Sequence, residues 1–329
     1  MTTSYVAGIV HFGADAGLHA CLESLGRQSL LPAAIVVIDH DGQESPPDEL
    51  AEENPGLVWR AAPNLGFAGG ANKVLAFAEE RCPSADFVLL LNPDVVLDAE
   101  FASSLASEFA RHPEAAIGGG KLMRPCGELI DSAGIEMSRS RRFRDRGSEA
   151  LDQGQYDSVE FVSAVSGAAL WLRRESLADL AIGAEIFDED FFSYHEDTDL
   201  AWRARTMGFS VVYVPRARAK HARGWKRAER DRVPVNIRRH SFKNRYLEMI
   251  KNDSLGSFLR DLPVILGHEI ARLGFALVAD RAVLPGYRDA LRLSGKAWKK
   301  RQAIQKTKYQ RSERRTAHGK HIEIDRAGE

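Results

Sequence analysis

Glu196, Asp197 and Asp199 place three carboxylates within four positions of the run Tyr194-His195-Glu196-Asp197-Thr198-Asp199-Leu200. Carboxylates this close shift one another's pKa, which suits a general base taking a proton from an attacking hydroxyl. They also open a helical pattern, where the helix dipole favours acids, and that structural reason covers some of the three. Asn92-Pro93-Asp94 follows the apolar run Phe87 to Leu91. An Asp and an amide oxygen are hard ligands for a divalent cation whose shell substrate phosphates complete; an Asx-Pro turn after a strand uses the same residues. Asp39 ends the apolar run Ala34 to Ile38, placed either to bond a base or ribose or to begin the Asp41-Gly42 turn.

Asn64-Leu65-Gly66-Phe67-Ala68-Gly69-Gly70-Ala71-Asn72 is a Gly-rich loop opening a helix. Free N–H groups and the dipole favour phosphate there, although the P-loop Lys and the dinucleotide spacing are absent, and a helix-capping turn has the same composition. His221 follows a basic segment, Arg216, Arg218 and Lys220. Neutral imidazole is a common metal ligand, and a histidine among basic residues is also an ordinary surface residue. Arg223, Lys226 and Arg227 are placed to neutralise phosphate.

The elements that must position these groups follow from periodicity. Val6 to Val10, Ala34 to Ile38, Leu57 to Arg60 and Phe87 to Leu91 are strand-like, with helical patterns through Leu18 to Leu25 and Ala71 to Glu80. Such alternation predicts an α/β fold with a mainly parallel sheet. Ligands of such sheets lie beyond the carboxyl ends of the strands, where His11, Asp39 and Asn92-Pro93-Asp94 stand. Residues 121–160, with Arg139, Arg141, Arg142, Arg144 and Arg146, read as an insertion of loops and short strands beside the site. Ser210 to Val214 is a strand ended by Pro215, and from Val235 the pattern is helical, with Leu255, Leu259, Leu262, Leu266, Ile270, Leu273 and Leu277 at spacings of three and four.

The net charge of −1 conceals a division: residues 1–200 carry 14 Lys and Arg against 34 Asp and Glu, and residues 201–329 carry 31 against 12. The basic part is expected either to meet an anionic membrane or to be a solvated helical tail; dimerisation through its apolar stripe is the alternative, and nucleic acid is not an expected partner. Cys21, Cys82 and Cys126 form no CxxC pair and suit a reducing compartment. The first residues lack a basic leader and read as a strand. The run Leu262 to Ala279 is broken by His268, Glu269 and Arg272, so no bilayer span is expected. The expected location is the cytoplasm, peripheral at the inner face of the cell membrane. The expected division is a catalytic domain over 1–233, a helical extension facing membrane or subunit over 234–296, and a polar flexible tail over 297–329.

Taken in order, Cys21-Leu22-Glu23-Ser24-Leu25, Val36-Val37-Ile38-Asp39, the Asn64 to Asn72 loop, Asn92-Pro93-Asp94, Ser166-Gly167-Ala168-Ala169, Phe187-Asp188-Glu189-Asp190-Phe191-Phe192 and Glu196 to Leu200 resemble glycosyltransferase family 2, in its bacterial rhamnosyltransferase-like branch. The resemblance implies a GT-A fold, Rossmann-like, with a C-terminal basic helical extension. It implies Asp197 as catalytic base, supported by Glu196 and Asp199. It assigns donor binding to Asp39, Asn64, Gly66, Phe67, Asn72, Asn92 and Gly167, and a divalent cation, Mg²⁺ or Mn²⁺, to Asp94 and His221. Asn92 departs from the first acid of the family's metal motif, and Ile182-Gly183-Ala184-Glu185-Ile186 replaces its tighter glycine turn.

The implied function is inverting transfer of a sugar, rhamnosyl from dTDP-rhamnose as the first choice with UDP- and GDP-sugars open, onto a hydroxyl of a glycan or lipid-linked acceptor in cell-surface polysaccharide synthesis. A nucleotidyltransferase has a similar sheet, but Ala7-Gly8-Ile9-Val10-His11-Phe12-Gly13 lacks its Gly-rich basic signature. A non-catalytic nucleotide-sugar-binding partner in an assembly complex would have no need to keep Asp39, Asp94 and Asp197 together.

Overall fold

The computed structural model describes residues 3–13, 17–223 and 233–326. In chain order its elements are β1 (Tyr5–His11), α1 (Leu18–Gly26), β2 (Ala34–Asp39), α2 (Asp48–Glu53), β3 (Leu57–Ala61), α3 (Gly66–Arg81), β4 (Phe87–Leu91), β5 (Val95–Leu97), α4 (Phe101–Arg111), β6 (Ala115–Met123), β7 (Ile130–Ser132), β8 (Ile135–Met137), β9 (Phe143–Asp145), β10 (Glu160–Phe161), β11 (Ala169–Arg173), α5 (Arg174–Leu180), α6 (Glu196–Thr206), β12 (Ser210–His221), α7 (Val235–Asn252), α8 (Leu255–Val278) and α9 (Pro285–Arg326). Single 3-10 turns lie at Glu189–Phe191 and Arg281–Val283.

The main sheet has the order β10-β12-β6-β11-β4-β1-β2-β3. β1 is parallel to β2 and β4, β2 to β3, and β6 to β12, while β11 runs antiparallel between β4 and β6. Alternation along the strands splits the core between two faces. Tyr5, Ala7, Ile9, Leu89 and Leu91 pack with Leu18 and Leu22 of α1 and Leu105 of α4, whereas Val6, Val88 and Leu90 pack with Val74 of α3 and Leu200 of α6. Trp171 of β11 is fully buried against Phe87 and Tyr5; its truncation to Ala is worth about 3–5 kcal/mol.

Two strands, β11 and β12, build the site. β11 pairs Ala169 with Leu91, which returns the Ser166-Gly167-Ala168 turn to the carboxyl end of β4, and Asn92 N donates to Ala168 O at 2.9 Å. β12 does not stop at Pro215, as the sequence suggests, but continues through a register shift between Val214 and Arg218 to His221. A proline tolerated at a bulge bends the strand without ending it. The bend brings the chain close enough that a Cβ on Gly120 would lie 1.9 Å from the Ala217 carbonyl oxygen.

The C-terminal helices dock on this domain. Leu247 of α7 packs with Phe191 and Ala297, and Ile304 of α9 is fully buried in the domain core. The expectation of a flexible tail from residue 297 therefore does not describe its first turns. Lys300 reaches Asp188 at 2.5 Å and Glu185 at 3.0 Å, and Arg314 reaches Asp179 at 2.6 Å. Part of the charge division along the chain is thus consumed internally, basic C-terminal helices meeting the acidic segment ahead of α6. Among the described residues no single helix is long and apolar enough to cross a membrane.

Candidate functional site

β5 begins one residue after Asp94 and pairs antiparallel with the end of β12, setting His221 opposite Val95. His221 Nε2 consequently lies 3.5 Å from Asp94 Oδ1, and Ala222 N donates to Asp94 O at 3.0 Å. The other ring nitrogen, Nδ1, bonds the fully buried Asp131 at 2.7 Å. Burial disfavours the His221 cation, but the hydrogen bonds to Asp131 and Asp94 outweigh it and raise its pKa. Asp131 is in turn flanked by Arg124 at 3.0 Å and Arg223 at 3.2 Å. Burial opposes its charge, yet His221 and these guanidiniums hold its pKa below the usual range. A carboxylate fixing the far side of an imidazole that points toward a second carboxylate is the arrangement of a metal-binding histidine. Nitrogen and oxygen donors from His221 and half-buried Asp94 fit a divalent cation with positions left for phosphate oxygens.

The Glu196-Asp197 pair sits at the start of α6. Half-buried Asp197 accepts from Gly167 N at 2.8 Å through Oδ2 and from Thr198 N at 2.7 Å through Oδ1. Loss of water around it pushes its pKa above the ordinary carboxylate value, against these two hydrogen bonds. Burial first, and then the charge of Asp197, push Glu196 well above its own. The Asp145 charge also raises Asp197, and Asp145 pairs with Arg223 at 3.2 Å, which links the acid pair to the Asp131–His221–Asp94 chain.

The loop ahead of this pair is strained: Phe192, Tyr194 and His195 have φ of 65°, 71° and 70°, each costing about 1–3 kcal/mol. α7 holds it. Asn244 Nδ2 donates to Phe191 O, Ser193 O and Tyr194 O at 2.9, 3.0 and 2.7 Å, and Glu248 bonds His195 Nδ1 at 2.9 Å. Gly66, at φ 69°, abuts the same loop; a Cβ there would lie 2.1 Å from Phe192 O.

The nucleotide end is built from β1 and β2. Asp39 is fully buried, bonded to His11 Nδ1 at 2.8 Å and to Gln43 N at 2.8 Å. His11, Asp39 and Asp41 offer ligand atoms within 4.8 Å of one another, but the Asp39 oxygens are committed to these bonds, so Asp94 and His221 are the better cation pair. Exposed Asn64 accepts from Gly66 N at 3.0 Å, an Asx turn that starts α3.

Several residues assigned from the sequence do other work. The Asn72 side chain is spent on the loop at Ile186 to Glu189: Oδ1 accepts from Ile186 N and Phe187 N at 3.1 and 2.9 Å, and Nδ2 donates to Phe187 O at 2.8 Å. Phe67 packs edge-on against Phe187. Gly167 serves Asp197 with its backbone N–H. Asp199 is a buried anchor for α7, paired with Lys251 at 2.9 Å and Arg203 at 3.3 Å and accepting from Asn252 at 2.6 Å. Lys226 and Arg227 lie outside the described residues.

The model of glycosyltransferase-like family 2 matches residues 5–239, and that span carries every group described above except the far end of α7. The chain belongs to glycosyltransferase-like family 2. It is 27% identical over 222 residues to the N-acetylglucosaminyl-diphospho-decaprenol L-rhamnosyltransferase of Mycobacterium tuberculosis, covering 62% of this chain and 71% of that one. Among solved structures it resembles S. aureus TarS in complex with UDP-GlcNAc, with TM-score 0.57 and 14% identity over 96% of this chain and 92% of that chain. It also resembles GalNAc-T7 with UDP, GalNAc and Mn²⁺, with TM-score 0.55 and 12% identity over 75% of this chain, but spans only 48% of that longer chain.

For this family 2 glycosyltransferase, reading the sequence missed Asp131, Asp145, Asn244 and Glu248. Asp131 and Asp145 sit in the irregular insertion, where no periodicity marks burial. Asn244, Glu248, Lys251 and Asn252 repeat at helical spacing and are buried on one face of α7, a signal present in the sequence that resembles a solvated polar stripe.

Proposed function

We propose that the protein is an inverting transferase that moves a sugar, rhamnosyl from dTDP-rhamnose, onto a hydroxyl of a lipid-linked glycan. The observation that carries this is the linked pair of centres: Asp94 after β4 facing His221 at the end of β12, and Asp197 held by Gly167 N and Thr198 N. The mycobacterial relative, named for L-rhamnosyl transfer and a diphospho-decaprenol, supports the sugar and the acceptor class.

In this reading Asp197 takes the proton of the acceptor hydroxyl, whose oxygen bonds the anomeric carbon as the bond to the donor diphosphate breaks on the opposite face, so configuration inverts. Its raised pKa makes it a stronger base than an exposed carboxylate. A divalent cation bound at Asp94 and His221 supplies charge neutralisation for the diphosphate. Asp131 keeps the His221 ring turned so that Nε2 faces Asp94.

Membrane attachment belongs to the same proposal. α8 has inverted polarity: Asp261, Glu269 and Arg272 turn inward onto Arg141, Arg245 and Phe242, while Leu266, Ile270, Leu273 and Leu277 are 51%, 73%, 43% and 47% exposed. Arg272, one of the residues that break the apolar run Leu262 to Ala279, faces inward. Exposed Arg260, Arg281, Arg288 and Arg292 complement anionic lipid, and an apolar stripe with basic flanks suits a helix lying in a bilayer interface. The location is then cytoplasmic and peripheral.

The test is a panel of dTDP-, UDP- and GDP-sugars with Mn²⁺ or Mg²⁺ and a short-chain polyprenyl-diphosphate-linked N-acetylglucosamine. The expected product carries an inverted linkage, with release of nucleoside diphosphate. No transfer from any donor, together with diphosphate release from nucleoside triphosphates, would establish a nucleotidyltransferase instead.

A further inference from the structure

A cavity of about 560 Å³ opens between α7, α8 and the loop that precedes the Glu196-Asp197 pair. Arg142, Arg238, Arg245 and Arg272 line it, with Phe242 and Phe275 among its apolar walls, and among the described residues none of its lining is acidic. Arg238 is held from one side by Asp280 at 2.7 Å and Arg245 by Glu269 at 2.7 Å. Arg238 Nε and Arg272 Nε are buried without a hydrogen-bond partner. These two atoms have essentially no accessible surface, so the cavity meets the outer edges of the guanidiniums, and a guanidinium donates in a fork that matches phosphate oxygens. Burial first, and then the charge of Arg245, depress the pKa of His268 on the cavity wall, with Glu269 opposing and Arg272 and Arg142 adding to the effect. Tyr194 and His195, the two residues preceding Glu196 and Asp197, close the opposite side. An anion seated here therefore lies against the two residues that lead into the Glu196-Asp197 pair.

The apolar side of the cavity continues outward. Ala271 and Phe275 line it from α8, whose exposed stripe of Leu266, Ile270, Leu273 and Leu277 runs along the same helix. We propose that this cavity is the acceptor's anchoring site, holding the diphosphate of a lipid-linked acceptor on its arginines while the isoprenoid chain leaves along α8. The proposal rests on the transferase reading, and it assigns to the acceptor a site separate from the donor end at Asp39, Asp94 and His221.

The test uses the full chain and farnesyl diphosphate as probe, titrated by calorimetry with and without saturating nucleoside diphosphate and Mn²⁺. Farnesyl diphosphate is expected to bind in both conditions, and inorganic diphosphate and farnesol each at least tenfold more weakly. The double variant Arg238→Gln, Arg272→Gln should weaken farnesyl diphosphate at least tenfold and leave nucleoside diphosphate binding intact. Ala271→Trp, which adds bulk at the cavity lining and removes no ion pair, should do the same if the double variant fails to fold. Mutual exclusion of the two ligands, equal binding of inorganic diphosphate, or unchanged affinity in Ala271→Trp would overturn the proposal. Failure of the wild type to bind any nucleoside diphosphate would instead strike the transferase reading, leaving the farnesyl titration to judge the cavity by itself.

Discussion

Replacing Asn244 should impair turnover in protein that remains folded, because its amide holds three carbonyls of the strained loop in front of the Glu196-Asp197 pair. Two N–H groups are shared among Phe191 O, Ser193 O and Tyr194 O. At about 1 kcal/mol net per neutral bond, with a further cost for carbonyls left unpaired, Asn244→Ala should destabilise the fold by about 2–3 kcal/mol. The loop gains by relaxing, since Phe192, Tyr194 and His195 leave positive φ. A displacement of about 1 Å at Asp197 then costs on the order of 10²-fold in rate. Asn244→Asp should be worse than Ala, since it sets a buried carboxylate against three carbonyl oxygens. The assay is kcat at saturating donor and acceptor beside Tm and nucleoside diphosphate affinity. A lowered Tm with unchanged kcat in Asn244→Ala would refute the reasoning, as would an Asp variant that outperforms Ala.

Asp94→Ala should weaken nucleoside diphosphate binding at least tenfold in Mn²⁺ or Mg²⁺ and little in chelator; equal wild-type affinity with and without metal would remove the cation site. The base must be deprotonated and burial raises the pKa of Asp197 and Glu196, so kcat/KM should rise with pH through an acid limb lying above the ordinary carboxylate range, about 4. A limb at or below that value would show that the pair is not desolvated during turnover. Full-length protein should sediment with anionic vesicles at low salt and be released as salt screens the basic flanks, whereas protein that stays in the supernatant and runs as a dimer would assign the exposed face of α8 to a second copy.

The parallel half of the sheet was legible because β1, β2 and β4 are short apolar runs separated by amphipathic helices, and the strand-end rule then located His11, Asp39 and Asp94. His221 was found by type and order, but its position depends on a bulge at Pro215 that a proline in sequence conceals. α7 and α9 were least legible. Their buried polar residues, Lys243, Asn244, Glu248, Lys251 and Lys300, meet partners fifty or more positions away, so local polarity suggested solvent where the fold supplies carbonyls and counter-charges. The same long-range pairing separated the roles of Asp197 and Asp199, two residues apart: one accepts from the Gly167 turn and the other from α7.

The most direct test of the account is single-turnover transfer by Asp197→Asn, which keeps the side chain's size, removes its basicity and retains one of its two backbone N–H contacts. With nucleoside diphosphate affinity held near wild type, the rate should fall by about 10²–10⁴-fold, or about 2.7–5.4 kcal/mol at 1.36 kcal/mol per decade. A variant that retains a tenth or more of wild-type turnover would contradict the assignment of Asp197 as the base.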